Sequence, residues 1–104
     1  MVSGQQPTDR QTTPALIIQA DGLATGLSQV VLAMITSNLA RSGHPSRVLI
    51  NLSSPEGRVS GLMSDSVVVT DNLATVLHKA VDRVLGSLPN MSAVDAALRQ
   101  TLGL

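Results

Sequence analysis

The residues best placed to handle a phosphate gather in one stretch. Thr36, Ser37 and Asn38 carry two hydroxyls and an amide, and Arg41, His44 and Arg47 follow closely. A hydroxyl can donate to a phosphate oxygen, and a basic cluster beside it can hold phosphates. The plainer alternatives are a strand-end threonine that caps the next loop and loop charges that are merely solvated. On residue types alone the plainer alternatives prevail. Chemistry is scarce elsewhere. The sequence contains no Cys, which removes disulfides, thiolate metal sites and Cys nucleophiles. His44 and His78 lie far apart, without the spacing of metal ligands. No GxxxxGK(S/T) phosphate loop, HExxH or GxSxG is present. No metal or cofactor is expected.

Composition narrows the partners further. The chain has 104 residues, enough for one compact domain. Hydrophobic residues make up 43% and charged residues 13%, which argues for a folded chain rather than a disordered one. There is no Phe, Tyr or Trp. The core must be built from Val, Leu, Ile, Met and Ala, and bases cannot stack on aromatic rings. Net charge is zero, so a strongly basic nucleic-acid binder is not indicated and any RNA contact must be local. A chain this small gains from pairing with a second copy. Met1 to Thr13 is polar and lacks the apolar stretch of a signal peptide. The longest apolar run, Val30 to Ile35, is too short to span a bilayer. A soluble cytoplasmic protein is the expectation.

The elements that would position these residues are mostly strands. Met1 to Thr13 reads as a tail. Pro14 opens the β-rich run Ala15 to Gln19, and Asp21 to Ser28 is a loop with two Gly. Gln29 to Thr36 is a continuous, β-branched run suited to a central strand. Ser37 to Ser46 reads as a loop and Arg47 to Asn51 as a third strand. Pro55-Glu56-Gly57 signals a turn, and Asp65 to Thr70 a fourth strand. From Asn72 the pattern changes. Leu73, Val76, Leu77, Ala80, Val81, Val84 and Leu85 have helical spacing, with Asp71 placed as N-cap and Gly86 as terminator. Met91, Val94, Ala97, Leu98 and Leu102 form a second amphipathic pattern. Short strands and a terminal helix predict an α+β, mainly β domain, a small curled sheet or barrel with a helix packed on it.

Beyond this the order of the segments resembles the MazF/PemK family of toxins. Pro14-Ala15-Leu16-Ile17-Ile18-Gln19-Ala20-Asp21 is similar to the family's "RPALVIQ.D" strand, and the run through Ile35-Thr36-Ser37-Asn38 to its "ITSN" strand end. Gly43 to Val48 resembles the next strand. Asp65-Ser66-Val67-Val68 resembles "DSVV", and Asp71 to Val76 resembles "DQIRTV". Leu85 to Pro89 and Val94 to Leu104 resemble the closing "LGxLP" and "VDAALRxxLGL". The likeness covers Pro14 to Leu104. No single piece is a strong signature, but their order and spacing together are specific.

The resemblance implies an SH3-like β-barrel with a C-terminal helix, working as a homodimer. It implies sequence-specific, metal-independent cleavage of single-stranded mRNA, restrained by a cognate antitoxin protein. It also implies a short helical turn near Ala74 to Lys79 and a strand near Val81 to Leu88, against the helical spacing noted above. Such cleavage uses the 2′-hydroxyl as internal nucleophile and needs donors for the charged phosphorane. The family supplies an Arg just before the Pro and a Thr at the strand end. Thr36 occupies the Thr position. Thr13 occupies the Arg position, and a hydroxyl lacks the permanent charge and donor fork of a guanidinium. Arg10 is the candidate replacement, if the tail folds back. Ser37, Asn38, Arg41, His44, Ser66 and Asn72 are the candidate RNA contacts. The family also has a strand before the Pro segment, which Met1 to Thr13 looks too short and too polar to supply. Either the chain as given starts late or the barrel is open on that side, exposing an edge. These two departures leave an alternative: a non-catalytic member that only binds an antitoxin or itself.

Overall fold

The computed structural model describes residues 2–5, 12–19 and 25–104. Its framework is one six-stranded antiparallel sheet: β1 (Val2–Gln5), β2 (Thr12–Ile17), β3 (Gln29–Thr36), β4 (Arg47–Ile50), β5 (Ser66–Leu77) and β6 (Val81–Val84). The strand order is β4-β5-β3-β2-β1-β6. Two helices accompany it, α1 (Pro55–Ser60) and α2 (Ser92–Leu102). This is the mainly β fold with a C-terminal helix that the sequence implied.

The sheet is curled enough to bury β3 on both faces. Val30 and Leu32 join Ala15 in one cluster, with Val76 and Val81 packed against it. Ala33 and Ile35 join Leu16, Ile50, Val68 and Val94 in the other, the main core. A continuous apolar run is what a strand buried on both faces requires. The helix α2 closes the main core with Val94 and Ala97. Its end is a left-handed Gly103, and the Leu104 N–H returns to the Arg99 carbonyl at 3.0 Å.

Three expectations change. First, the N-terminal segment is not a bare tail. Val2–Gln5 is a strand lying between β2 and β6, so the strand before the Pro segment is present. Backbone pairing needs no apolar side chains, and a polar four-residue strand flanked on both sides satisfies its ladder. Second, Pro55 to Ser60 is a short helix rather than a turn. Ser54 caps it by accepting from the Gly57 N–H at 3.1 Å, and Pro55 sits in its first turn, where no N–H is needed. Third, Leu73 to Leu85 is not one helix. The strand β5 runs on to Leu77, a 3-10 turn covers His78–Ala80, and β6 follows. The resemblance comes nearer than the helical spacing, with corrected bounds: its turn falls at His78–Ala80, with Ala74 to Leu77 still in β5, and its strand ends at Val84. Ala74 and Val76 face inward while Leu73, Thr75 and Leu77 are exposed. Apolar residues on both sides of a strand imitate helical spacing.

Candidate active site

The strand β3 delivers Thr36 to the rim of a groove of about 440 Å³. Thr36 is the last residue of β3 and opposes Val67 of β5. Its Oγ1 accepts from the Asn38 N–H at 3.1 Å, so the hydroxyl does cap the next loop. A hydroxyl oxygen also carries a proton. Among the described residues nothing receives it, and Thr36 therefore offers a donor to the groove. Ser37 and Ser66 line the same groove, with Pro14 and Ile35. Ser66 is buried, and its Oγ donates to the Ser64 carbonyl at 2.9 Å. Its proton is spent on holding that wall, which leaves the oxygen to act as an acceptor.

The groove also holds a residue that the sequence reading missed. Arg83 of β6 is the only charged side chain lining it among the described residues. Its place follows from the register. Ser3 of β1 opposes Pro14 on one side and Arg83 on the other. Pro14 and Arg83 are thus in line two strands apart, about 10 Å at the usual strand spacing. The 80s segment carries no phosphate-binding signature, and only the pairing of the first strand brings it here.

The remaining candidates stand elsewhere. Asn38 uses its Oδ1 to accept from the Ala40 N–H at 3.1 Å, capping a 3-10 turn over Leu39–Arg41. Arg41 and Asn72 are exposed and do not line the groove. His44 lines a separate cavity of about 400 Å³ with Pro45, Ser46, Asp71, Gln100 and Thr101. Arg47 is committed to structure: Nη2 pairs with the Asp71 carboxylate at 3.1 Å and Nη1 donates to the Arg41 carbonyl at 3.2 Å. Ser46 Oγ donates to the same carboxylate at 3.2 Å. The hydrogen bond from Arg47 holds the Asp71 carboxyl below its ordinary pKa. Of the sequence cluster of Arg41, His44 and Arg47, the Arg47 guanidinium is thus held by Asp71 and the Arg41 carbonyl, and none of the three lines the Thr36 groove. Arg10 lies outside the described residues. Among the described residues no three His, Asp or Glu side chains gather as a metal site, and no helix is long and apolar enough to cross a membrane.

The groove wall opposite Thr36 depends on glycine. Gly61 ends α1 at φ +76°, and a Cβ there would run into the Leu85 carbonyl oxygen. A Cβ on Gly86 would run into the Val59 carbonyl oxygen, and the Ser87 N–H bonds that oxygen at 2.9 Å. Backbone-to-backbone contact thus seats the end of α1 on the segment after β6. Gly61, Leu62, Met63 and Leu85 form this apolar side of the groove.

Comparison with known proteins places the arrangement. The family model of the PemK-like, MazF-like toxin of type II toxin-antitoxin systems matches residues 2–102. Endoribonuclease MazF6 of Mycobacterium tuberculosis is 36% identical over 103 residues, covering 98% of this chain and 86% of its own. Endoribonuclease MazF2 of Mycobacterium bovis shows the same identity and coverage. Among solved structures, Mycobacterium tuberculosis toxin MazF-mt6 superposes with a TM-score of 0.79 at 25% identity, over 99% of this chain and 95% of that one. An endoribonuclease from a mycobacterial species, solved with its cognate antitoxin, shares the fold with a TM-score of 0.79 at 22% identity, covering 99% of this chain and 90% of that one. With the family match spanning nearly the whole sequence, the chain belongs to the PemK-like, MazF-like toxins of type II toxin-antitoxin systems.

Proposed function

We propose that this chain is a toxin endoribonuclease that cleaves single-stranded mRNA in the groove beside Thr36, without a metal ion. The observation that carries the reading is Thr36 itself, a hydroxyl with an uncommitted proton at the edge of a groove of about 440 Å³. Family membership and the two MazF endoribonucleases support it. In the reaction the RNA 2′-oxygen attacks the adjacent phosphorus and the bond to the 5′-oxygen breaks. The 2′-proton leaves to a base, and the departing 5′-oxygen takes up a proton. Charge builds on the non-bridging oxygens, and Thr36 stabilises it by donating there. Ser37 donates to the flanking phosphate, and Ser66 Oγ accepts from a flanking ribose hydroxyl. Asn38, Arg41, His44 and Asn72 stand outside the groove and are left for RNA further along the strand. Two arginines are candidates for the missing cation: Arg10, which lies outside the described residues, and Arg83, which lines the groove.

The family description supports an antitoxin partner, and an mRNA substrate would place the action in the cytoplasm. A homodimer would cover the outer face of the second half of β5, where Leu73 and Leu77 are exposed.

The test uses the purified chain with a long single-stranded RNA in EDTA. Cleavage is expected, and Thr36→Ala should lower its rate about a hundredfold to a thousandfold, the usual cost of one transition-state donor. Equal rates for the two proteins would remove Thr36 from the chemistry. No cleavage by the unaltered chain, with antitoxin binding intact, would favour the binding-only alternative.

A further inference from the structure

We infer that Arg83 is the catalytic cation of the Thr36 groove, contacting the scissile phosphate in place of the arginine that position 13 lacks. The inference rests on the ribonuclease reading above. Three observations carry it. Arg83 is the only charged side chain lining the groove among the described residues, alongside Thr36, Ser37 and Ser66. It is exposed and forms no ion pair with any described residue. Arg47, by contrast, is tied to Asp71 and to the Arg41 carbonyl. Finally, Arg83 sits in register with Pro14 through Ser3, on the far side of β1.

The chemistry needs what Arg83 offers. A phosphorane carries more negative charge than the phosphate it forms from. A guanidinium gives that charge a permanent counter-charge and a fork of parallel N–H donors. Hydroxyl donors alone do not neutralise it. In this chain the residue before Pro14 is Thr13, so the charge cannot come from β2. It comes instead from β6, whose seat is set by the glycine contacts at Gly61 and Gly86. Because an exposed arginine with no structural partner contributes little to folding, its removal should be read in catalysis rather than stability.

The experiment measures single-turnover cleavage of a short RNA by the full chain and four variants. Arg83→Gln should slow cleavage about a hundredfold to a thousandfold with an unchanged melting temperature. Arg83→Lys should fall between the two, since it keeps the charge and loses the fork. Arg99→Gln, on α2 and away from the groove, should stay within twofold of the unaltered chain. Thr13→Arg placed in the Arg83→Gln background should restore activity, because the new guanidinium enters beside Pro14 from β2, two strands away. A wild-type rate for Arg83→Gln in an active enzyme would overturn this inference and leave the ribonuclease reading standing. An unaltered chain that does not cleave would overturn both.

Discussion

At Thr36 one oxygen has two capacities, of which the fold uses one. It accepts the Asn38 N–H, and no described residue takes its proton. The sequence shows the residue and its strand-end position but not whether the proton is spent. Ser66 makes the contrast, since its proton goes to the Ser64 carbonyl. Arg47 and Asp71 carry a separate, structural prediction. The Asp71 carboxyl titrates below its ordinary value in the folded state, chiefly through its hydrogen bond from Arg47. Its contribution is therefore present in full above the unfolded carboxylate value, about 3.9, and is lost as pH falls through the lower folded value. Denaturant melts across pH 2 to 7, a range of roughly the carboxylate titration region and above, should show Asp71→Asn less stable than the unaltered chain near neutrality. The gap should close at the acid end. A gap that stayed constant with pH would show that the carboxylate's charge plays no part.

Among the elements, β3 was the most legible. Its run Gln29 to Thr36 is β-branched, apolar and bounded by polar loops, and the strand has those limits. The second half of β5 was the least legible. Between Val69 and Leu73 three residues have no partner on β3, where Met34 and Ala33 are adjacent. This bulge takes Thr70 and Asp71 out of the β3 ladder. It lets the Thr70 N–H and hydroxyl both donate to the Ser46 carbonyl, at 3.1 and 2.5 Å, and brings Asp71 to Arg47. No local pattern announces it, because the bulge answers to a partner 24 residues away. Arg83 escaped the sequence reading for a similar reason: its value depends on β1, a strand without hydrophobic signal. The seat of α1 yields a prediction at this scale. Gly86→Ala should cost about 1–3 kcal/mol in chemical denaturation, because its methyl overlaps backbone rather than a yielding side chain. It should also lower cleavage by shifting the Leu85 wall of the groove. Unchanged stability would mean that the end of α1 yields easily.

For the whole molecule the absence of aromatic residues sets the terms. The largest fully buried side chains include Val67, Val68 and Val94, so each contact contributes modestly and many must act together. Leu73 and Leu77 remain exposed on the outer face of β5, and a second copy would cover them. If the proposed homodimer forms through this face, Leu77→Glu should shift it to monomer in sedimentation equilibrium while leaving its circular dichroism unchanged. A dimer that persisted would place the interface elsewhere. The central claim concerns the bond that breaks and the atom that attacks. The direct measurement is the end-group chemistry of RNA fragments made by the purified chain in EDTA. Attack by the 2′-oxygen predicts upstream fragments ending in a 2′,3′-cyclic phosphate and downstream fragments starting with a 5′-hydroxyl, which a polynucleotide kinase labels without prior phosphatase. Downstream fragments that carry a 5′-phosphate and take up label only after phosphatase would contradict the account.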